Sequence, residues 1–156
     1  MPEILNSLVE VGAPSSLEVI DFRKLKNRIE ADAWNDLVNE YGIVYVTSIT
    51  RTGCSGCETQ KPLFQALADR MTSENSGKVK FRRFHVDYAE QDKHESWDSK
   101  RMFHHAAYPT YLVHLRSHVG PLEIFRAVYP SMEELEKQVR ESFELADYYK
   151  TEAAKT

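Results

Sequence analysis

Two cysteines three positions apart are the residues of this sequence best suited to chemistry. Cys54 and Cys57 are the only cysteines among the 156 residues, and they enclose Ser55 and Gly56. A pair this close cannot join distant parts of the chain, so its function must be local: thiol redox chemistry, metal binding, or none. On a helix, residues three apart share one face, which brings the two sulfurs close enough to bond.

The cysteines lie between a predicted strand and a predicted helix. Residues 43–49 form a nearly continuous β-prone run, typical of a strand buried on both faces, and Thr50–Gly53 is predicted to be a loop. After the cysteines, apolar residues recur on one helical face at Leu63, Phe64, Leu67, Ala68 and Met71. Cys54 is therefore expected at a helix N-terminus, where unpaired N–H groups and the helix dipole lower a thiol pKa.

This placement predicts different roles for the two sulfurs. Cys54 would be the exposed attacking thiolate, and Cys57 the more buried thiol that resolves the mixed disulfide. Ser55 and Gly56 add neither bulk nor charge between them. Two alternatives remain: an inert pair of small core residues, and half of a zinc site. A zinc site needs two more ligands, and no second C-x-x-C or H-x(3–5)-H pair accompanies the cysteines at a finger-like distance. The sequence therefore predicts no metal and no cofactor.

Periodicity and turn residues predict the element order β-α-β-α-β-α-β-β-α, which favours an α/β mixed sheet with helices on both faces. Strands are expected over 18–22, 43–49, 79–87, 110–116 and 122–128. Helices are expected over 25–41, after the cysteines, over 92–105 and from 132 onward. Pro62 should kink the helix that follows the cysteines, and Trp97 is expected to face inward.

Length and composition limit the domain organisation and the partners. One domain is predicted at 18–150, with an N-terminal extension at 1–17 and a flexible tail at 151–156. The net charge of −4 argues against nucleic acid, and the basic stretch Lys78–Arg83 is interpreted as solvated strand charge. No apolar run approaches membrane-spanning length. Residues 1–10 lack the features of a secretory signal, which predicts a cytoplasmic protein unless a leader has been removed.

Together these features resemble the thioredoxin superfamily over residues 18–149. The resemblance is carried by Cys54–Cys57 after the buried strand, Pro62 in the helix, Asp87 closing the next strand, and Tyr108-Pro109-Thr110 before the hairpin. It implies the thioredoxin fold and a cis-proline at Pro109, where the prolyl bond taken alone would be expected to be trans. In this family the peptide group before that proline pairs with substrate backbone, so Tyr108 and Pro109 are expected to bind substrate.

The sequence departs from thioredoxin itself at several positions. The tryptophan usual before the first cysteine is Gly53 here, and the buried acid six residues before that cysteine is Ser48. Another group or water must then move the proton of the buried thiol. Glu58 and Arg51 are the nearest candidates in sequence, although each is more typical of a solvated surface position.

The resemblance and the motif predict a thiol–disulfide oxidoreductase that reduces protein disulfides through Cys54 and Cys57. Its partners would be a protein disulfide and a thiol or reductase that donates electrons, without nucleic acid or membrane. The alternative is a thioredoxin-fold binding module whose C-x-x-C pair is vestigial or regulatory. A thiol peroxidase or a glutathione-dependent enzyme would need further ligand-binding residues, which the sequence does not reveal.

Overall fold

A computed structural model describes residues 16–28 and 33–155, and five strands within them form one mixed sheet. The strands are β1 (Leu17–Asp21), β2 (Val44–Arg51), β3 (Val79–Val86), β4 (Thr110–Ser117) and β5 (Gly120–Val128). Their spatial order is β1-β3-β2-β4-β5. Strands β1 and β2 run parallel to β3, whereas β4 is antiparallel to both β2 and β5.

Helices cover both faces of this sheet, which confirms the predicted architecture. They are α1 (Phe22–Arg28), α2 (Ala33–Leu37), α3 (Ser55–Glu74), α4 (His94–Phe103) and α5 (Met132–Ala154). Phe64 of α3 and Leu135 of α5 belong to the apolar core on one face. Phe22, Leu37 and Phe103 from the other three helices belong to the core on the opposite face. The central strands are consequently buried on both sides, as their continuous apolar sequences predict.

Several predicted boundaries were wrong because hydrogen bonding overrides local sequence pattern. Of the helix expected over 25–41, the described residues include α1 as far as Arg28 and α2 from Ala33, and α2 already ends at Leu37. The loop expected at Thr50–Gly53 begins later, because β2 continues to Arg51 by pairing with β3. Residues 151–154, which belong to the segment predicted to be a flexible tail, lie in α5, and the flexibility of that segment stays a prediction.

Three side chains differ in burial from their predicted positions: two predicted to be buried are exposed, and one predicted to be exposed is buried. Trp97 and Leu63, both expected to face inward, are 48% and 52% exposed. Arg82, interpreted as solvated strand charge, is only 1% exposed. Its guanidinium lies 4.7 Å from the ring centroid of Tyr45 and donates a hydrogen bond to the carbonyl of Leu37. Burial lowers the pKa of Arg82, and these neighbours provide the contacts that a buried cation requires.

The predicted N-terminal extension lies almost wholly outside the described residues, since the description begins at Ser16. The first strand starts at Leu17, one residue before the predicted domain boundary. No helix in the described ranges is both long enough and apolar enough to cross a membrane.

Candidate redox site

The sulfur of Cys54 caps the N-terminus of α3. Cys54 has extended backbone angles, φ −102° and ψ 110°, as an N-cap residue does. Its Sγ accepts a hydrogen bond from the backbone N–H of Cys57 at 3.1 Å, and its carbonyl accepts one from the N–H of Glu58 at 3.1 Å. The sulfur therefore occupies the position in which a serine or aspartate oxygen would satisfy the first helical amides. Once reduced, a thiolate here would be stabilised by the same N–H group and by the helix dipole.

Cys54 and Cys57 are joined in a disulfide, with their Cα atoms 5.2 Å apart. Cys54 is 8% exposed and Cys57 is 4% exposed. Both sulfurs thus lie close beneath the surface, with Cys54 at the helix end and Cys57 one turn further in. The two exposures differ little, so the distinction between an attacking and a resolving thiol stays a prediction that rests on position along the helix.

Two glycines shape the backbone around the disulfide. Gly53 has φ +72°, a left-handed conformation that a tryptophan would adopt only at an energetic cost. This backbone turn accounts for the glycine that precedes Cys54. Gly56 is required for a different reason: a Cβ atom there would lie 2.9 Å from the ring of Tyr129 and 3.3 Å from Cδ of Pro109.

Pro109 lies against the cysteine motif, whereas the side chain of Tyr108 points towards α4. The Tyr108–Pro109 peptide bond is cis, and the proline ring packs against Gly56. The hydroxyl of Tyr108 lies 3.0 Å from Oγ of Ser96 in α4, and burial raises the pKa of Tyr108. Among the described residues, no backbone group is hydrogen-bonded to the N–H or C=O of Tyr108. What Tyr108 offers beside the cysteines is therefore its backbone.

The ring of the buried residue His105 packs against the ring of Tyr108. Its ring meets that of Tyr108 edge to face, with centroids 4.9 Å apart. Its Nε2 lies 2.8 Å from Oγ of Ser99, and its Nδ1 lies 3.2 Å from the carbonyl of Ala107. Burial lowers the pKa of His105 to about 4, so the ring is neutral near pH 7. Both ring nitrogens have partners, and His105 serves to hold the segment that leads into Pro109.

A polar pocket of about 310 Å³ opens behind the disulfide and reaches Cys57. Its walls come from β1, β2, β3 and the first turns of α3. The lining residues are Val19, Thr50, Arg51, Cys57, Glu58, Lys61, Arg83 and His85. Both ring nitrogens of His85 face threonine hydroxyls, Nδ1 at 3.1 Å from Thr50 and Nε2 at 3.3 Å from Thr52. This pocket is large enough to hold water against Cys57.

Neither residue predicted to replace the family's buried acid contacts a sulfur through a hydrogen bond described in the structure. Ser48 is 1% exposed and interacts with the hydroxyl of Tyr111, whose pKa burial raises to about 12. Arg51 stacks on the ring of Tyr88 at 3.9 Å from its centroid and donates to the carbonyl of Thr52. Glu58 is exposed at the mouth of the pocket behind Cys57.

Sequence reasoning missed two residues of this site, Tyr129 and Gln60. Tyr129 lies just after β5, 73 positions from the glycine that its ring covers. Gln60 is a buried residue of α3 whose Nε2 donates to the carbonyl of Pro130 at 2.6 Å. Both contacts join segments far apart in the chain, and no local pattern marks either residue.

A metal site does not form within the described residues: no three His, Cys, Asp or Glu side chains there are grouped to hold an ion. Of the adjacent histidines His104 and His105, His105 is engaged with Ser99 and Ala107 as described above. His104 ends α4 in a left-handed conformation with φ 56°.

Comparisons with known proteins identify the fold. No protein-family model matches the chain, and no curated protein matches it in sequence. Thioredoxin structures from Trichomonas vaginalis, Trypanosoma brucei brucei and Nicotiana alata are similar, with TM-scores of 0.60, 0.56 and 0.55 and identities of 8%, 15% and 21%. These alignments cover 82%, 87% and 85% of this chain and 98%, 99% and 96% of the thioredoxins. This chain has the thioredoxin fold, and the pair Cys54–Cys57 lies where that fold carries a C-x-x-C active site.

Proposed function

We propose that this thioredoxin-fold chain is a thiol–disulfide oxidoreductase that reduces disulfides of protein substrates. The single observation that carries the proposal is the contact between Cys54 Sγ and the N–H of Cys57 at the start of α3, with the second sulfur already bonded to the first. An N-terminal helix position lowers a cysteine pKa, and a low pKa makes the thiolate available near neutral pH.

The reaction proceeds by two exchange steps. In the reduced protein, the Cys54 thiolate attacks one sulfur of the substrate disulfide, forming a mixed disulfide and releasing the other substrate sulfur as a thiolate. Cys57 then loses its proton to water in the pocket behind it and attacks Sγ of Cys54. This step closes the Cys54–Cys57 disulfide and releases the second substrate thiolate. Two electrons pass to the substrate, whose thiolates take up two protons.

Tyr108 and Pro109 are proposed to hold the substrate during these steps. Within the described part of the chain, the N–H and C=O of Tyr108 have no backbone partner, and they lie beside a proline that packs on Gly56. An extended peptide can add to such an edge by main-chain hydrogen bonds. Ser55 and Gly56 are proposed to tune the pair by keeping the space between the sulfurs free of bulk and charge.

Turnover requires an electron donor, which we propose is a small thiol or a thiol reductase. In a reducing, cytoplasmic setting such a donor keeps the pair as a dithiol, and reduction of substrates is then the favoured direction. Dithiothreitol supplies the same two electrons in a test.

Insulin reduction with dithiothreitol tests the proposal. The wild-type protein should accelerate insulin precipitation, and Cys54→Ser should reduce the rate to that of dithiothreitol alone, because it lacks the attacking sulfur. Ser55→Ala is the matched control and should keep the activity, because alanine, like the exposed Ser55, adds neither bulk nor charge between the sulfurs. A wild-type rate equal to that of dithiothreitol alone would exclude the proposed reaction.

The Cys57→Ser variant distinguishes catalysis from mere binding. It should hold substrate as a mixed disulfide that Cys54 forms and that no resolving thiol can break. A protein captured without a covalent bond, and captured equally well by Cys54→Ser, would instead indicate a binding module with a vestigial cysteine pair.

A further inference from the structure

A tyrosine in an unfavourable backbone conformation lies directly against the cysteine motif. Tyr129 has φ 51°, and Cδ2 and Cε2 of its ring would lie 2.9 Å from a Cβ on Gly56. Left-handed conformations are unfavourable for bulky side chains, and they persist where the surrounding structure enforces them, often at functional sites. A glycine would adopt this conformation freely, so the presence of tyrosine indicates that its ring has a use here.

Two hydrogen bonds hold the Tyr129 segment against the site. The N–H of Tyr129 donates to the carbonyl of Pro109 at 3.0 Å. The next residue, Pro130, accepts a hydrogen bond at its carbonyl from Nε2 of Gln60 at 2.6 Å, and Gln60 is only 4% exposed. One bond therefore ties the segment to the strand entry at Pro109, and the other ties it to the helix that carries the cysteines.

The ring of Tyr129 remains accessible although its backbone is fixed. Tyr129 is 49% exposed and the adjacent Val128 is 53% exposed. Pro109 packs on the same glycine, so Tyr129 and Pro109 both flank the backbone between the two sulfurs. A peptide whose cysteine reaches Cys54 along the Tyr108–Pro109 edge must pass beside this aromatic ring.

We propose that Tyr129 is a specificity-determining residue that contacts the amino acid next to the substrate cysteine and favours an aromatic side chain there. This inference rests on the proposed oxidoreductase function and names its substrate class: protein disulfides with an aromatic residue beside the attacked cysteine. An aromatic ring fixed in position gains contact area with little loss of conformational freedom, and aromatic pairs add an attraction beyond the area they bury.

Peptide mixed disulfides test the proposal in single turnovers of the reduced protein. Two cysteine peptides, each disulfide-bonded to thionitrobenzoate, differ only in having phenylalanine or glycine beside the cysteine, and release of thionitrobenzoate is followed by absorbance. Bis(2-hydroxyethyl) disulfide, which has no neighbouring side chain, serves as the third substrate, and its reaction is followed by the loss of free thiols from the protein. The proteins compared are wild type, Tyr129→Phe, Tyr129→Ala and Tyr129→Gly.

Wild type and Tyr129→Phe should prefer the phenylalanine peptide, because both present a ring. In Tyr129→Ala and Tyr129→Gly, this preference should fall by about twofold to tenfold, the range expected for the loss of one aromatic pair. The loss should appear in the half-saturating peptide concentration rather than in the limiting rate, and the rate with bis(2-hydroxyethyl) disulfide should not change. Tyr129→Gly should fold as well as wild type, since glycine accepts a positive φ.

Two outcomes would overturn the proposal while leaving the proposed function intact. One is the same peptide preference in all four proteins. The other is a faster reaction of Tyr129→Gly with all three substrates alike, which would make the ring a shield over the disulfide. A wild-type protein that reacts with none of the three substrates would instead contradict the oxidoreductase function itself.

Discussion

At the residue scale, the close approach of Tyr129 to Gly56 makes the stability effect of Gly56→Ala depend on position 129. A helical glycine replaced by alanine ordinarily gains about 1 kcal/mol of stability. Here the new methyl group would lie 2.9 Å from the Tyr129 ring, and overpacking costs about 1–3 kcal/mol. We expect Gly56→Ala to destabilise the protein, and to do so less in a Tyr129→Gly background, with a coupling of about 1 kcal/mol.

Urea unfolding of the four proteins of this double-mutant cycle measures that coupling. Ser55→Ala, one position earlier and exposed, is the control and should change stability by less than about 0.5 kcal/mol. Additive effects of the two substitutions would mean that the ring moves away from Gly56 at no cost.

Whether the sequence reveals a residue's position and role depends on how local its environment is. Cys54 and Cys57 are recognisable because a strand end, a short spacing and a helical pattern follow one another directly. Tyr129 and Arg82 were not, because their environments are made by segments distant in the chain. Burial of Arg82 depends on the ring of Tyr45 in β2 and on the carbonyl of Leu37 in α2, which come together only in the folded protein.

At the element scale, Gln60 links α3 to the segment between β5 and α5. Its Nε2 donates to the carbonyl of Pro130, while its buried Oε1 has no hydrogen-bond partner among the described residues. Gln60→Met preserves the volume and removes the whole amide, the donor together with Oε1. Because the carbonyl of Pro130 then loses its donor, we expect a loss of about 1 kcal/mol in stability. Because the backbone of Tyr129 is then held from one side only, the preference for the phenylalanine peptide should also diminish.

Stability by urea unfolding and selectivity with the same peptide pair check this prediction. Thr59→Ala, on the exposed side of α3, is the matched control and should leave the peptide preference unchanged. If Gln60→Met lowered stability but kept the full preference, Gln60 would be a packing residue without influence on Tyr129.

Element types and order followed from sequence, whereas several element ends did not. In the first helical region, the apolar periodicity extends from Leu25 to Tyr41, whereas the described helix α2 ends at Leu37. Strand β2 is longer than predicted because ladder pairing with β3 extends to Arg51, whose sequence neighbours favour a loop. The local sequence pattern does not reveal pairing between strands that are distant in the chain.

At the scale of the whole molecule, two buried histidines couple folding to pH. His114 of β4 is 2% exposed and stacks on Trp34 with ring centroids 4.1 Å apart, and His105 is 7% exposed. Burial lowers the pKa of each to about 4, against 6.5 in an unfolded chain. Glu123, Arg126 and Arg82 are the charged groups that face His114, and Lys100 and Arg126 are those that face His105.

The sign of this coupling follows from where the protons bind. Above pH 6.5 both histidines are neutral whether the chain is folded or not. As the pH falls from 6.5 towards 4, the unfolded chain takes up protons that the folded protein excludes, so stability decreases. We expect each histidine to lower the free energy of unfolding by about 2 kcal/mol between pH 7 and pH 5.

Urea unfolding at pH 7, 6 and 5 measures the decrease, and the two histidines can be separated by substitution. His114→Phe keeps an aromatic ring against Trp34 without a titrating group, so the pH dependence should fall to about half that of the wild type. His105→Gln should remove a similar share, and the double variant most of the dependence. A wild-type free energy of unfolding that is constant from pH 7 to pH 5 would mean that both histidines are protonated in the folded protein as readily as in the unfolded chain. The packing around β4 and Tyr108 would then be looser than the contacts at Trp34 and Ser99 indicate.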